Sequence, residues 1–231
     1  MPGKPWLTVV VPMRNESAII EATLSGLQAL RRSGAQLLAV DGGSNDQTAT
    51  LADPFVDQVL SSSAGRAQQM QLGYSASLAP LIWFLHADSQ VDSHHMETLQ
   101  SLADCSWGFF PIRLSGAARG LRVVEHGINL RTRLTHVATG DQGIFVRRTL
   151  LDQIGGIPQL PLMEDVAMSK KLRSLAKPCI APHPLVTSSR RWEQRGIVRT
   201  VLEMWLLRTA YVLGVDPARL AAYYQRRAPR G

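Results

Sequence analysis

Four short clusters hold the side chains with most chemistry in this sequence: Arg14-Asn15-Glu16, Asp41-Gly42-Gly43-Ser44, His86-Ala87-Asp88 and Glu164-Asp165. The first three each follow a strand-like apolar run, and open α/β sheets collect ligands at the carboxyl ends of their strands. Asp41 can there accept hydrogen bonds from the imide or amino edge of a nucleobase, while Gly42 and Gly43 let a ligand approach the backbone. Any one such loop also reads as a plain turn or cap. Three in succession shift the reading toward a nucleotide site. Glu164 and Asp165 open a helical pattern, where the helix dipole alone would favour two acids.

Those clusters need a scaffold. Leu7 to Pro12 is a β-branched run of the kind that is buried on both faces of a parallel sheet. Ile20, Leu24, Leu27 and Leu30 recur at helical spacing, with Gly34 placed to end that helix. Leu37–Val40 reads as a second strand, Ser44 to Gln47 as a capping box, Val56–Leu60 as a third strand, Gly65–Ala79 as a helix and Pro80–His86 as a fourth strand. Strand and helix thus alternate, which predicts an α/β layer with right-handed crossovers. Beyond Asp88 the pattern is α+β: strands at Trp107–Leu114 and Gly143–Val146, an amphipathic stretch Leu121–Leu134, and helices at Glu164–Leu175 and Ile197–Leu213.

A chain of 231 residues, 45% hydrophobic against 19% charged and without repeats, is globular and suits a single domain. No low-complexity linker divides it. We expect one unit over residues 1–231, with a nucleotide-type half (5–105), an α+β half (106–192) and C-terminal helices (193–231). Its charge is lopsided: residues 1–110 carry 5 basic and 10 acidic side chains, residues 111–231 carry 20 and 8. The basic half can attract phosphates, nucleic acid or an anionic membrane, or be a solvated face. An aromatic share of 6% and the lack of any RNA-recognition or zinc-finger pattern argue against nucleic acid. Cys105 and Cys179 read as two isolated thiols in a reducing compartment. His94 and His95, near His86 and Cys105, match no zinc spacing and read as surface histidines. Neither G-x-G-x-x-G after the first strand nor a P-loop motif occurs, which argues against Rossmann dehydrogenases and P-loop ATPases.

The segments LTVVVPMRNES (7–17), VDGGSNDQT (40–48), LHADS (85–89) and PLMEDVAMSKKLR (161–173), in that order, resemble the family 2 glycosyltransferases of the GT-A fold. The resemblance spans roughly Leu7 to Trp192 and implies a Rossmann-like nucleotide-binding half, a mixed central sheet and C-terminal helices. With GRAQQM, LHAD and GDQG taken together, the chain is similar to a compact bacterial subgroup sometimes associated with arsenosugar biosynthesis.

The resemblance implies an inverting transfer of sugar from a nucleotide-diphosphate-sugar, UDP-sugar favoured, to a hydroxyl acceptor, assisted by Mg²⁺ or Mn²⁺. Pro12, Arg14, Asn15, Glu16, Asp41, Gly43, Arg66, Ala87 and Asp88 would bind the donor. Asp88 would ligate the metal. His86 stands where the family's first acidic residue would be, as a weak ligand, a supporting group or a strand end. Asp165 would be the general base, with Glu164 beside it. Asp141 and Gln142, and Arg191 and Trp192 of SSRRW, would face the acceptor or clamp diphosphate. The SSRRW segment lacks the glutamine of processive relatives.

Two rivals stay open: a nucleotidyltransferase, and a non-enzymatic basic module for anionic lipid or nucleic acid. We expect a cytoplasmic protein. The helix at Ile197–Leu213 would cover the core or form a dimer, or else lie at the inner membrane face.

Overall fold

The computed structural model describes residues 3–102 and 104–227. Its strands are β1 (Leu7–Met13), β2 (Gln36–Asp41), β3 (Gln58–Ser61), β4 (Leu81–Phe84), β5 (Ser89–Gln90), β6 (Trp107–Phe109), β7 (Ile112–Leu114), β8 (Phe145–Arg147), β9 (Cys179–Ile180) and β10 (Leu185–Thr187). The helices are α1 (Ile20–Gly26), α2 (Gln28–Arg32), α3 (Thr48–Ala52), α4 (Arg66–Ala76), α5 (Ser93–Ser101), α6 (Arg119–Thr135), α7 (Arg148–Gln153), α8 (Glu164–Leu175), α9 (Arg190–Arg195), α10 (Ile197–Val212) and α11 (Pro217–Arg227).

Seven strands form the central sheet in the order β3-β2-β1-β4-β8-β6-β9, and β5-β10-β7 form a small second sheet. Strands β3, β2, β1 and β4 run parallel, and β8 is antiparallel to both β4 and β6. The sheet is mixed, as expected. Every residue of β1 is buried, because parallel neighbours flank it and helices cover both faces. On one face Leu24, Leu27 and Leu30 pack against Val9 and Val11. On the other α4 lies so close to β1 that a Cβ at Gly73 would come within 2.3 Å of Val10.

The structure redraws several expected elements. The single strand at Trp107–Leu114 is two, broken around Pro111, with β6 in the main sheet and β7 in the small one. Proline cannot donate to a ladder, so the chain changes sheets there. The first helix divides into α1 and α2 at Leu27. The capping box is absent. Asp46 Oδ1 instead accepts from the Thr48 amide at 3.0 Å, and Ser44 Oγ turns back to Asp41.

Cys105 and Cys179 are joined in a disulfide across 74 positions, correcting the reading of two isolated thiols. That separation conceals their nearness; β9 brings Cys179 to the end of the segment after α5. His95 is also corrected. Far from being a surface residue, it is buried, stacks on Trp83 and bonds Asp92 and the Pro184 carbonyl.

Helix α10 covers the core with its polar side. Thr200, Glu203 and Leu207 are buried, while Trp205 is 72% and Leu213 79% exposed, and Val198, Leu202 and Leu206 are exposed as well. The cause is Glu203, drawn inward by Arg195 at 2.9 Å and Arg191 at 3.8 Å. No helix among the described residues is long and apolar enough to cross a membrane.

Candidate active site

The strand order reverses at β1, where β2 and then β3 lie on one side and β4 on the other, and this opens a crevice at their carboxyl ends. The loops after β1 and β2 are laced together over it. Asn15, held at φ 54°, donates its amide to Ser44 Oγ and accepts from the Asn45 amide, and the Glu16 amide donates to Thr48 Oγ1. Asp41 accepts from the amides of Gly43 and Ser44, so its carboxylate shapes the glycine turn.

A residue not singled out from the sequence locks the crevice floor. Buried Gln69 of α4 donates from Nε2 to the carbonyls of Met13 and Val40. Its only sequence signal was a polar residue on the inner face of a helix. A Cβ at Gly42 would lie 2.9 Å from that amide, which is why glycine stands there.

Arg66, the first residue of α4, lines this crevice together with Pro12, Phe84, His86 and Gly140. Its positive charge offsets part of the rise that burial imposes on the carboxyls of Glu16, Asp88, Asp141 and Glu164. These four acids come from four separate segments of the chain, and all feel the charge of one guanidinium. Burial raises all four carboxyls above the ordinary range. Mutual repulsion adds to it: Asp88 acts on Glu16, Asp141 on Asp88 and Asp165 on Asp141. Burial, and then the charge of Asp165, push Glu164 up to about 7.

Asp88 and Asp165 therefore lie at two ends of one cluster. The physical link is Gly140, whose amide donates to Asp165 Oδ2 at 2.7 Å and whose α-carbon faces the His86 ring. His86 Nδ1 is 4.0 Å from Asp88 Oδ1. Burial and the Arg66 charge hold this imidazole neutral, with its pKa well below the usual histidine range. Its Nε2, Asp141 Oδ1 and Glu16 Oε2 are buried without a hydrogen-bond partner among the described residues.

Of the other expected donor residues, Gly43 sits in the turn at φ 78°, Ala87 is buried and Arg14 is exposed. The acceptor-side expectations divide. Asp141 joins the acid cluster. Gln142 is fully buried, bonded to Thr132, Thr139 and the Phe110 carbonyl, and has no free edge for a ligand. Arg191 is turned to Glu203 and stacks on Tyr224 at 4.7 Å, and Trp192 packs against Ile112, Leu114 and Leu121. Their neighbour Arg190 reaches the crevice instead, 3.6 Å from Glu16 Oε2. Successive helical residues point about 100° apart, so only one of the three can face it.

Residues 8–106 match the model of glycosyl transferase family 2. The fold of the chain is the GT-A fold. The S. aureus TarS 1–349 structure in complex with UDP-GlcNAc is 15% identical at a TM-score of 0.64, over 79% of this chain and 58% of that one. The mannosyltransferase PcManGT from Pyrobaculum calidifontis, in complex with GDP-Man and Mn²⁺, is 18% identical at a TM-score of 0.66, over 99% and 66%. Glucosyl-3-phosphoglycerate synthase from Mycobacterium tuberculosis, with Mg²⁺ and UDP, is 19% identical at a TM-score of 0.60, over 88% and 79%. The chain thus spans about 60% of the length of the TarS 1–349 structures. No curated protein matches it.

Proposed function

We propose that this protein is a glycosyltransferase that moves a sugar from a nucleotide-diphosphate-sugar, a UDP-sugar for preference, to a hydroxyl acceptor with inversion at the anomeric carbon. The observation that carries the reading is the run of contacts from Asp88 to His86, from His86 to Gly140 and from Gly140 to Asp165, beside Arg66. Glu16 and Asp41 border the place for the nucleoside. Arg66, at the start of α4, faces the place for the diphosphate, where a guanidinium and a helix N-terminus favour an anion together.

The residues fit a divalent cation. Asp88 and Asp141 are like charges near one another, and Asp141 Oδ1 has no hydrogen-bond partner among the described residues. No group of three or more His, Cys, Asp or Glu side chains suited to a metal occurs among the described residues. That accords with Mg²⁺ or Mn²⁺ sites that take one or two carboxylates and complete their shell with phosphate oxygens and water. Asp88 would hold the ion, with His86 Nδ1 beside it. When bound, Mg²⁺ or Mn²⁺ supplies positive charge against the negative charge of the leaving diphosphate.

Asp165 takes the acceptor proton as the hydroxyl oxygen attacks. The Gly140 amide orients its carboxylate, and Glu164 beside it titrates near neutrality. Asp165→Asn should retain affinity for UDP and lose transfer; a variant that transfers at the parent rate removes Asp165 as the base. A melting panel of UDP-, GDP-, dTDP- and CMP-sugars, each with and without Mn²⁺, identifies the donor, since ligands of the folded state raise its stability.

The outward apolar face of α10 supports a second element of the reading, peripheral contact with an anionic membrane. Arg133 and Arg199 belong to the same pair of helices as exposed Leu134, Leu202 and Trp205.

A further inference from the structure

A second cavity, of about 320 Å³, opens beside the acid cluster between the end of α6, the first three turns of α8 and the last turns of α10. Its size falls among small-molecule sites, about 300–1,000 Å³. Val166, Lys170 and Arg173, spaced i, i+4 and i+7, supply one wall from a single face of α8. Arg208, Tyr211 and Val212 supply the facing wall from α10.

Three cations thus enter a cavity with no acidic lining side chain among the described residues. None of the three is in an ion pair with a described residue. Lys170 Nζ rests 5.1 Å from the centre of the Tyr211 ring, and Arg173 Nη1 donates to the Thr135 carbonyl at 2.5 Å. Arg131 crowds the same corner. Burial and then the like charge of Arg208 bring its pKa down to about 10, and its Nε is buried without a hydrogen-bond partner among the described residues. Packed guanidiniums are costly unless anions join them, and the charges of Asp141 and Asp165 offset only part of that cost, since both guanidinium pKa values stay lowered.

The cavity borders the proposed base. Met163 and Val166 line it on either side of Glu164 and Asp165. Arg208 feels the charge of both Asp165 and Asp141, and burial and then Asp165 push the Tyr211 hydroxyl up.

We propose that this cavity is the acceptor subsite, and that it takes an acceptor with an apolar body and a phosphate-like oxyanion, held by Lys170, Arg173 and Arg208 with its hydroxyl toward Asp165. The assignment rests on the glycosyl-transfer reading for the word acceptor. The anion site itself does not.

The test is calorimetric titration of the full chain with n-hexyl phosphate, with n-hexanol and inorganic phosphate as controls and UDP in parallel. Hexyl phosphate should bind and hexanol should not. Lys170→Met/Arg173→Met keeps the apolar stems and should weaken hexyl phosphate by about tenfold or more, the scale of a lost charge-assisted bond, with UDP affinity unchanged. If the double variant melts early, Lys170→Glu must reproduce the selective loss.

Hexyl phosphate binding no tighter than hexanol, unaltered in the variants, or displaced by UDP would overturn the proposal; displacement would put the anion in the donor crevice. Inorganic phosphate binding as tightly as hexyl phosphate would overturn its apolar part. Failure of UDP alone to bind counts against glycosyl transfer and leaves the anion site standing.

Discussion

The amide of Gly140 donates to Asp165 at 2.7 Å while its α-carbon packs against the ring of His86, so one small residue separates the proposed base from the proposed metal side of the crevice. This contact joins α8 to the loop after β4. It also explains a glycine at a position whose backbone does not demand one. A Cβ there would lie 2.5 Å from His86 Nε2.

Gly140→Ala should therefore displace the imidazole or the loop. We expect a loss of about 1–3 kcal/mol in stability, typical of overpacking, and a fall in kcat larger than the change in UDP affinity. Urea unfolding and steady-state transfer assays check both. A variant with wild-type kcat would show that the spacing between His86 and Asp165 is not critical.

Glu164 sets a pH dependence of stability. Its folded pKa, about 7, lies above the ordinary 4.5, so the folded protein binds the extra proton between those values. Stability from this group is complete below pH 4.5 and is lost as pH rises through 7. Asp165 and Arg66 are the charges that face it. Glu164→Gln should match the parent near pH 5 and exceed it by about 2 kcal/mol near pH 8. Equal unfolding free energies at the higher pH would contradict this.

The Cys105–Cys179 disulfide closes a long loop, 74 positions apart in sequence. By loop entropy its removal costs up to about 4 kcal/mol. Adding a reductant should lower the melting temperature, Cys105→Ser/Cys179→Ser should reproduce that drop, and the variant should be indifferent to reductant. Two titratable thiols in the protein purified without reductant would refute the pairing.

The exposed face of α10 should sediment the chain with vesicles rich in phosphatidylglycerol. Trp205→Glu should reduce that partition by about tenfold or more, because burying one large apolar side chain contributes ~1.5–3 kcal/mol. High salt should weaken binding and uncharged vesicles should bind less. Concentration-dependent dimerisation abolished by Trp205→Glu, with no vesicle binding, would assign the face to a second copy instead.

Much of the architecture is local information. The β-branched run of β1, the helical recurrence of Glu164 to Leu175 and the polar clusters at strand ends are patterns that neighbouring residues dictate through side-chain period and burial. Arg66, Asp88 and Asp165 were legible as chemistry because polar groups stand where strands end or helices begin. Other features depend on distant partners. Sequence alone could not pair Cys105 with Cys179, turn the acidic side of α10 inward through Arg191 and Arg195, bury Gln142 and Gln69, or choose Arg190 over Arg191 as the residue facing Glu16. Each is settled by which surfaces meet after the sheet forms. A helix face or a carboxylate has no intrinsic inside until another element covers it.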